Sequence, residues 1–186
     1  MKKQLLLPAV LAIGLISGGC ASTGGKSNER RHHNAVLIDE QIEKHAAHNL
    51  NAADDIQATC HVNVNAYNGL TLVTGEAPNT HLRNKIIAIV RIIPHVKSVH
   101  NEVVIAKPSS AKSRNNDALI TDNLKTVLSD IRNIPGFHGS EIDVVTANGV
   151  VYLLGLVHQN EGAAAIEAAR QVIGVRKIVT KFEYIN

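Results

Sequence analysis

The sequence predicts an α+β protein built from two tandem copies of one small α-β-β-α-β unit, each a three-stranded sheet covered on one face by two helices. Three observations carry this. Asn68-Gly69 sits between two runs of alternating apolar and polar residues, and Asn148-Gly149 does so again eighty positions later. The returning run ends at a glycine in both copies, Gly75 and Gly155. A stretch with helical spacing and then a last strand-like stretch follow each glycine. An internal repeat decides the architecture, because each copy must be one folding unit of the same kind, and about seventy residues suffice for such a core.

In the first copy, Ile38, Ile42, His45, Ala46 and Asn49 share one side of a helix at 3.6-residue spacing, which places His45 partly buried and hydrogen-bonded. Over 60–67, Val62 and Val64 alternate with Asn63 and Asn65, as a half-buried strand requires. Asn-Gly then tolerates the positive φ of a type I′ turn, and 70–75 returns as the second strand. Pro78 and Asn79 open a helix whose inner face is Leu82, Ile86, Ile89, Val90 and Ile93; Pro94 ends it, and 96–105 is the third strand. The second copy repeats the order: a helix over 117–131, strands over 141–146 and 150–157, a helix over 160–173 stopped by Gly174, and a strand over 176–185. Ile38 matches Ile120, Ile42 matches Leu124, Ile86 matches Ile166, Ile93 matches Ile173 and Val99 matches Ile178, an offset that drifts from 82 to 79.

Upstream of the repeat, Lys2 and Lys3 precede an apolar stretch over 5–16 that runs into Ser17, Gly18, Gly19 and Cys20. The stretch is too short for a hydrocarbon layer about 30 Å thick, so residues 1–19 read as a secretory signal. Small residues before a cysteine fit a lipobox, with Cys20 acylated and the new N-terminus after cleavage; the alternative is an ordinary signal peptide with an incidental cysteine. Ala21 after the cysteine implies the outer membrane under the sorting rule of such lipoproteins. Residues 20–34 are polar and without apolar periodicity, as a flexible lipidated tether would be. The first domain then spans 35–106, a serine-containing linker 107–115, and the second domain 116–186. The linker length permits relative motion of the domains.

Removing residues 1–19 takes away two lysines and lowers the formal charge from +3 to +1. Near-neutral charge with 3% aromatic residues excludes a nucleic-acid groove, which needs basic stripes and stacking platforms. Gly136-Phe137-His138-Gly139 is read as a turn rather than a nucleic-acid loop. With Cys20 acylated, Cys60 is a half-buried structural thiol and no disulfide forms. Ten histidines invite a metal reading, but His45 with His48 and His32 with His33 lack partners at a standard spacing, so neither metal nor cofactor is expected. Asp54-Asp55 reads as a solvated loop pair. No nucleophile elbow, phosphate loop or Cys-His pair is present, and no enzymatic activity is expected.

The segments Asn-Ala-Tyr-Asn-Gly-Leu-Thr-Leu-Val-Thr-Gly-Glu-Ala (65–77), Val-Thr-Ala-Asn-Gly-Val-Val-Tyr-Leu-Leu-Gly-Leu-Val (145–157) and Val-Ile-Gly-Val-Arg-Lys-Ile-Val-Thr-Lys-Phe-Glu-Tyr-Ile (172–185) resemble tandem BON domains. Behind a lipobox, the whole chain from Cys20 onward is similar to the dual-BON outer-membrane lipoproteins of the DolP type. That resemblance implies a lipid-anchored protein of the periplasmic face that supports envelope integrity. It also implies that the first helix of the second domain binds anionic phospholipid. On this chain the candidate contacts are Leu119, Ile120, Asn123, Leu124 and Lys125. Helical geometry puts Ile120, Leu124, Val127, Leu128 and Ile131 on the core stripe and Leu119 on an exposed edge beside Asn123. Asp117, Asp122 and Asp130 against Lys125 and Arg132 make this helix net acidic. The competing readings are an envelope protein adaptor, in which Cys20 is the sole lipid contact, and a structural spacer.

Overall fold

The computed structural model describes residues 31–186, so the signal segment and Cys20 lie outside the described residues. The first unit comprises α1 (His33–Asn51), α2 (Asp54–Thr59), β1 (His61–Tyr67), β2 (Leu70–Ala77), α3 (Thr80–Arg91) and β3 (Ser98–Ile105). The second comprises α4 (Ala111–Ser129), β4 (Ile142–Ala147), β5 (Val150–Val157), α5 (Gln159–Gln171) and β6 (Lys177–Tyr184). Each unit forms a mixed three-stranded sheet, ordered β1-β2-β3 and β4-β5-β6. The hairpin strands pair antiparallel, and the helical crossover brings the last strand in parallel.

The two-residue turns have the expected geometry, with φ of +52° and +82° at Asn68 and Gly69 and of +52° and +72° at Asn148 and Gly149. Their amides find one partner each. Asp39 on α1 accepts from Asn68 N at 2.7 Å and Gly69 N at 2.8 Å. Asp117 on α4 accepts from Asn148 N and Gly149 N, both at 2.8 Å. Both aspartates are buried, so a carboxylate staples each hairpin tip to the helix that covers it.

The staple resets the register of the repeat. Asp39 and Asp117 are equivalent, an offset of 78, so Ile42 corresponds to Ile120, Ala46 to Leu124 and Leu50 to Leu128. The first-helix alignment from apolar spacing was one helical turn out, because a period of 3.6 residues looks the same after such a slip. The buried stripe of α1 is Asp39, Ile42, Ala46 and Leu50; His45 and Asn49 face solvent. In the second helices, the capping residues Asn79 and His158 set an offset of 79. Ile86 therefore matches Ala165 and Ile93 matches Val172, both pairs buried. Ile173 stands outside, 93% exposed.

Further differences follow from caps. Ser110 accepts from Ser113 N at 3.2 Å and starts α4 at Ala111, six residues before Asp117, so half of the expected linker is helix. Val127 falls off the buried stripe of Asp117, Ile120, Leu124 and Leu128 and is 37% exposed, and the helix stops at Ser129, which places Ile131 beyond it. Asp54 and Asp55 form the first turn of α2 rather than a loop, and Asp55 binds Lys85 at 2.7 Å. That ammonium bond chiefly holds the Asp55 carboxyl below its usual range.

The sheet faces away from the helices meet each other. Along β2, Val73 and Ala77 point into the first core, whereas Leu70 and Leu72 point the other way; along β5, Val151, Leu153 and Val157 serve the second core. Tyr67, Leu72, Tyr152 and Leu154 form a third apolar cluster between the sheets, with Leu70, Val150, Leu156 and Val179 around it. The molecule is thus a four-layer stack, helices, sheet, sheet, helices, and both faces of the central strands are dry. Polar pins fix the seam. Tyr67 OH donates to Glu141 O and accepts from Leu156 N, both at 3.1 Å. Arg31 stacks 4.3 Å over the Tyr67 ring and pairs with Asp39 at 3.6 Å and Asp143 at 3.7 Å. Burial and the nearby Glu102 push the Tyr152 phenol up to about 12, so it stays a neutral donor to Glu102 at 3.5 Å.

Glu76, 3% exposed, joins both units: its carboxylate accepts from Asn148 Nδ2 and from Ser109 N at 3.0 Å, and it pairs with His61 Nδ1 at 3.2 Å. Burial alone would raise its pKa, but the hydrogen bonds from Asn148 and Ser109 and the His61 charge outweigh it and hold the carboxyl below 4.5. A depressed folded pKa gives stability that is present above the unfolded value and lost as pH falls through the folded one. Glu76→Gln should therefore flatten the part of the acid-side loss that lies below about pH 4.5, read from urea midpoints measured at successive pH values. Asp117→Ala strands two buried amides and should cost about 3 kcal/mol in the same assay, with Asp117→Asn, which keeps one acceptor, costing roughly half as much.

Candidate functional site

A cleft of ≈ 570 Å³ opens between α4 and the loop that follows α5, with Ser113, Asn116, Leu119, Asn123, Ile173 and Arg176 among its walls. Backbone geometry builds it. Gly174, at φ +97°, turns the chain out of α5 so closely against α4 that a Cβ there would sit 2.9 Å from Ile120 Cδ1. That approach sets Ile173 alongside Leu119. Arg176 N donates to Gly149 O at 2.8 Å, and a Cβ on Gly149 would lie 2.7 Å from Arg176 Cδ. The arginine stem therefore runs over the hairpin tip, and the tip is itself held by Asp117.

Leu119 is 60% exposed and Ile173 93%, an uncommon amount of branched apolar surface for adjacent loop and helix positions. Cations flank the pair. Lys112, Asn116, Leu119 and Asn123 follow one another at i, i+4, i+7 and i+11 on one face of α4, and Arg176 closes the far wall.

The net-acidic reading of this helix does not survive. Its extension to Ala111 adds Lys112 and Arg114, and Asp117 is buried in the hairpin staple. On α4 the exposed charges are then Lys112, Arg114 and Lys125 against Asp122 alone.

Of the residues singled out from the sequence, Leu119 and Asn123 line the cleft together. Ile120 reaches its floor but is 7% exposed, and Leu124 is fully buried in the core. Lys125 is exposed on a different flank, where it acts on Asp143. Ile173 and Arg176 were missed. Gly174 as a helix stop was the available signal, since a residue just before such a stop need not continue the inner face.

The first unit has the same cleft in reduced form, ≈ 330 Å³, with Ala35, Ile38, His95, Val96 and Lys97 in its walls. In the corrected register Gln41 stands where the second unit has Leu119, and Pro94 where it has Ile173. Lys97 keeps the cation of Arg176. At these two positions the second unit alone is apolar, whereas the first exposes Ile92, two residues before Pro94.

Among the described residues, no group of three or more His, Cys, Asp or Glu side chains is gathered closely enough to hold a metal ion. Among the same residues, no helix is long and apolar enough to cross a membrane.

The BON domain family matches residues 38–107 and 116–186. The chain is 25% identical over 189 residues to the outer membrane lipoprotein DolP of Haemophilus influenzae, covering all of this chain and 96% of that protein. It is 29% identical over 148 residues to a 21 kDa hemolysin of Actinobacillus pleuropneumoniae, covering 80% of this chain and 75% of that one. Among solved structures, CdsD of the Chlamydia trachomatis type III secretion system aligns over 75% of this chain and 91% of its own. Its identity is 13% and its TM-score 0.32, too distant to bear on function.

Because both prongs are exposed, Leu119→Glu and Ile173→Glu, singly or together, should shift the urea unfolding free energy by no more than about 0.5 kcal/mol each.

Proposed function

Because the chain belongs to the BON-domain family and is a DolP-like outer-membrane lipoprotein, we propose that its second domain docks on anionic phospholipid at the periplasmic face and so supports envelope integrity. The observation that carries this reading is the pairing of Leu119 and Ile173, two exposed branched side chains, with Arg176 in the same cleft and Lys112 two turns before Leu119 on α4. Branched apolar prongs insert between headgroups, and each nearby cation contributes about 1 kcal/mol against an anionic surface. Cys20, through its acyl chains, supplies the standing attachment. The docking contact then needs only modest affinity, since the anchor already confines the domain near the bilayer. No catalytic role enters this reading.

Residues 28–186, expressed without the anchor, should sediment with phosphatidylglycerol or cardiolipin vesicles at low salt and far less with phosphatidylcholine vesicles. Leu119→Glu with Ile173→Glu should weaken that binding at least about tenfold, while Arg176→Gln should weaken it by about fivefold and reduce its salt dependence. A fragment that stays in the supernatant with every vesicle composition would overturn the docking reading. The adaptor reading, with lipid contact through Cys20 alone, would then stand.

A further inference from the structure

A second cleft, ≈ 620 Å³, lies on the opposite theme: it is walled by the outer edges of two strands, Val62 to Asn65 of β1 and Val144 to Thr146 of β4, with Glu43, Leu50 and Asn51 of α1 above. Both strands are sheet edges, and neither is hydrogen-bonded to the other. They run in opposite directions. Tyr67 at the end of β1 bonds Glu141 just before β4, and at the other end His61 and Asn63 share a cavity with Thr146 and Ala147.

The hairpin registers say which backbone groups face this cleft. A two-residue turn makes Tyr67 and Leu70 a hydrogen-bonded pair, so in β1 the amides of Asn65 and Asn63 also turn inward to β2, whereas those of Val62, Val64 and Ala66 turn outward. The same count from Ala147 and Val150 turns Ile142, Val144 and Thr146 outward in β4. Ala66 confirms the phase, since its N–H donates outward to Glu43 Oε1 at 2.8 Å. The outward groups of Val62, Val64 and Val144 have no backbone partner of this kind among the described residues.

Such edges invite an added strand, which takes its affinity from main-chain bonds and its specificity from alternate side chains. The cleft has the room. A strand occupies about 3.3 by 4.8 by 10 Å per residue, so this volume accepts about four residues. Charge completes the description. Lys44 also borders the cleft but is paired with Glu40 at 3.4 Å; burial raises the pKa of Glu43, and among the described residues its carboxylate takes the Ala66 amide but no cation at ion-pair distance, Arg31 being already shared between Asp39 and Asp143. A cationic side chain arriving beside Glu43 is thus electrostatically complementary to this end of the cleft.

We propose that this cleft binds an extended segment of another envelope protein, laid antiparallel to β1, with a lysine or arginine at its N-terminal end against Glu43. The site is separate from the lipid cleft of the second domain and does not rest on it.

The test uses the mature chain in detergent micelles and the probe acetyl-Lys-Val-Thr-Val-Thr-amide carrying a fluorescent label at its C-terminal end. Saturable anisotropy is expected, with slowed amide exchange at Val62, Val64 and Val144 in NMR spectra. Replacing the lysine by glutamate should weaken binding about fivefold, and Glu43→Gln, which keeps an acceptor for Ala66 N, should abolish that preference. A probe N-methylated on its second valine should bind about tenfold less well. No binding at millimolar probe, protection elsewhere than these strands, or equal binding by the N-methylated probe would each overturn the proposal. Leu119→Glu should leave probe binding unchanged, which separates failure here from failure of the lipid reading.

Discussion

One buried carboxylate in each unit holds the molecule's geometry together. Asp39 and Asp117 each take two consecutive amides from a hairpin tip whose positive φ values turn those amides toward the helix. Hydrogen bonds to an ionised acceptor are about twice as strong as neutral ones, and the alternative is two stranded buried donors. The staple therefore sets where each covering helix sits along its sheet and which of its faces turns inward. Ile42, Ala46 and Leu50, and their counterparts Ile120, Leu124 and Leu128, reach the cores because the aspartate one turn earlier is pinned.

The same constraint shapes the cleft of the second domain. With Asp117 buried at the tip, α4 presents Lys112, Asn116, Leu119 and Asn123 to solvent, and Arg176 is laid across Gly149. A residue that reads as surface acidity thus removes negative charge from the exposed face. The first domain keeps the staple and the cation but not the prongs, so divergence between the copies falls on Gln41 against Leu119 and Pro94 against Ile173.

The packing of sheet on sheet turns two modules into one body. Each three-stranded sheet buries one face under its own helices and the other against its twin, so Leu72, Tyr152 and Leu154 are nearly inaccessible. Glu76, Tyr67 and Arg31 pin the seam with bonds that cross it. The edges of β1 and β4 come to border a common cleft only because the sheets are stacked.

The sequence by itself determined the element order, both hairpins, the duplication and the apolar face of α3. Those features are written in local chemistry: Asn-Gly for a turn, Gly174 for a helix end, alternation for strands. Leu119 was legible too, as an apolar residue off the helix stripe. Tertiary structure alone decided the rest. Periodicity repeats with every turn, so it could not distinguish Ile38 from Ile42 as the mate of Ile120, and only the long-range bond from Asp117 to the hairpin breaks that degeneracy. Ile173 and Arg176 join Leu119 across more than fifty residues of chain, and the exposed faces of both sheets close on each other through contacts that no local pattern encodes. A site made by the meeting of distant segments depends on where each is placed, and placement is a property of the packed whole.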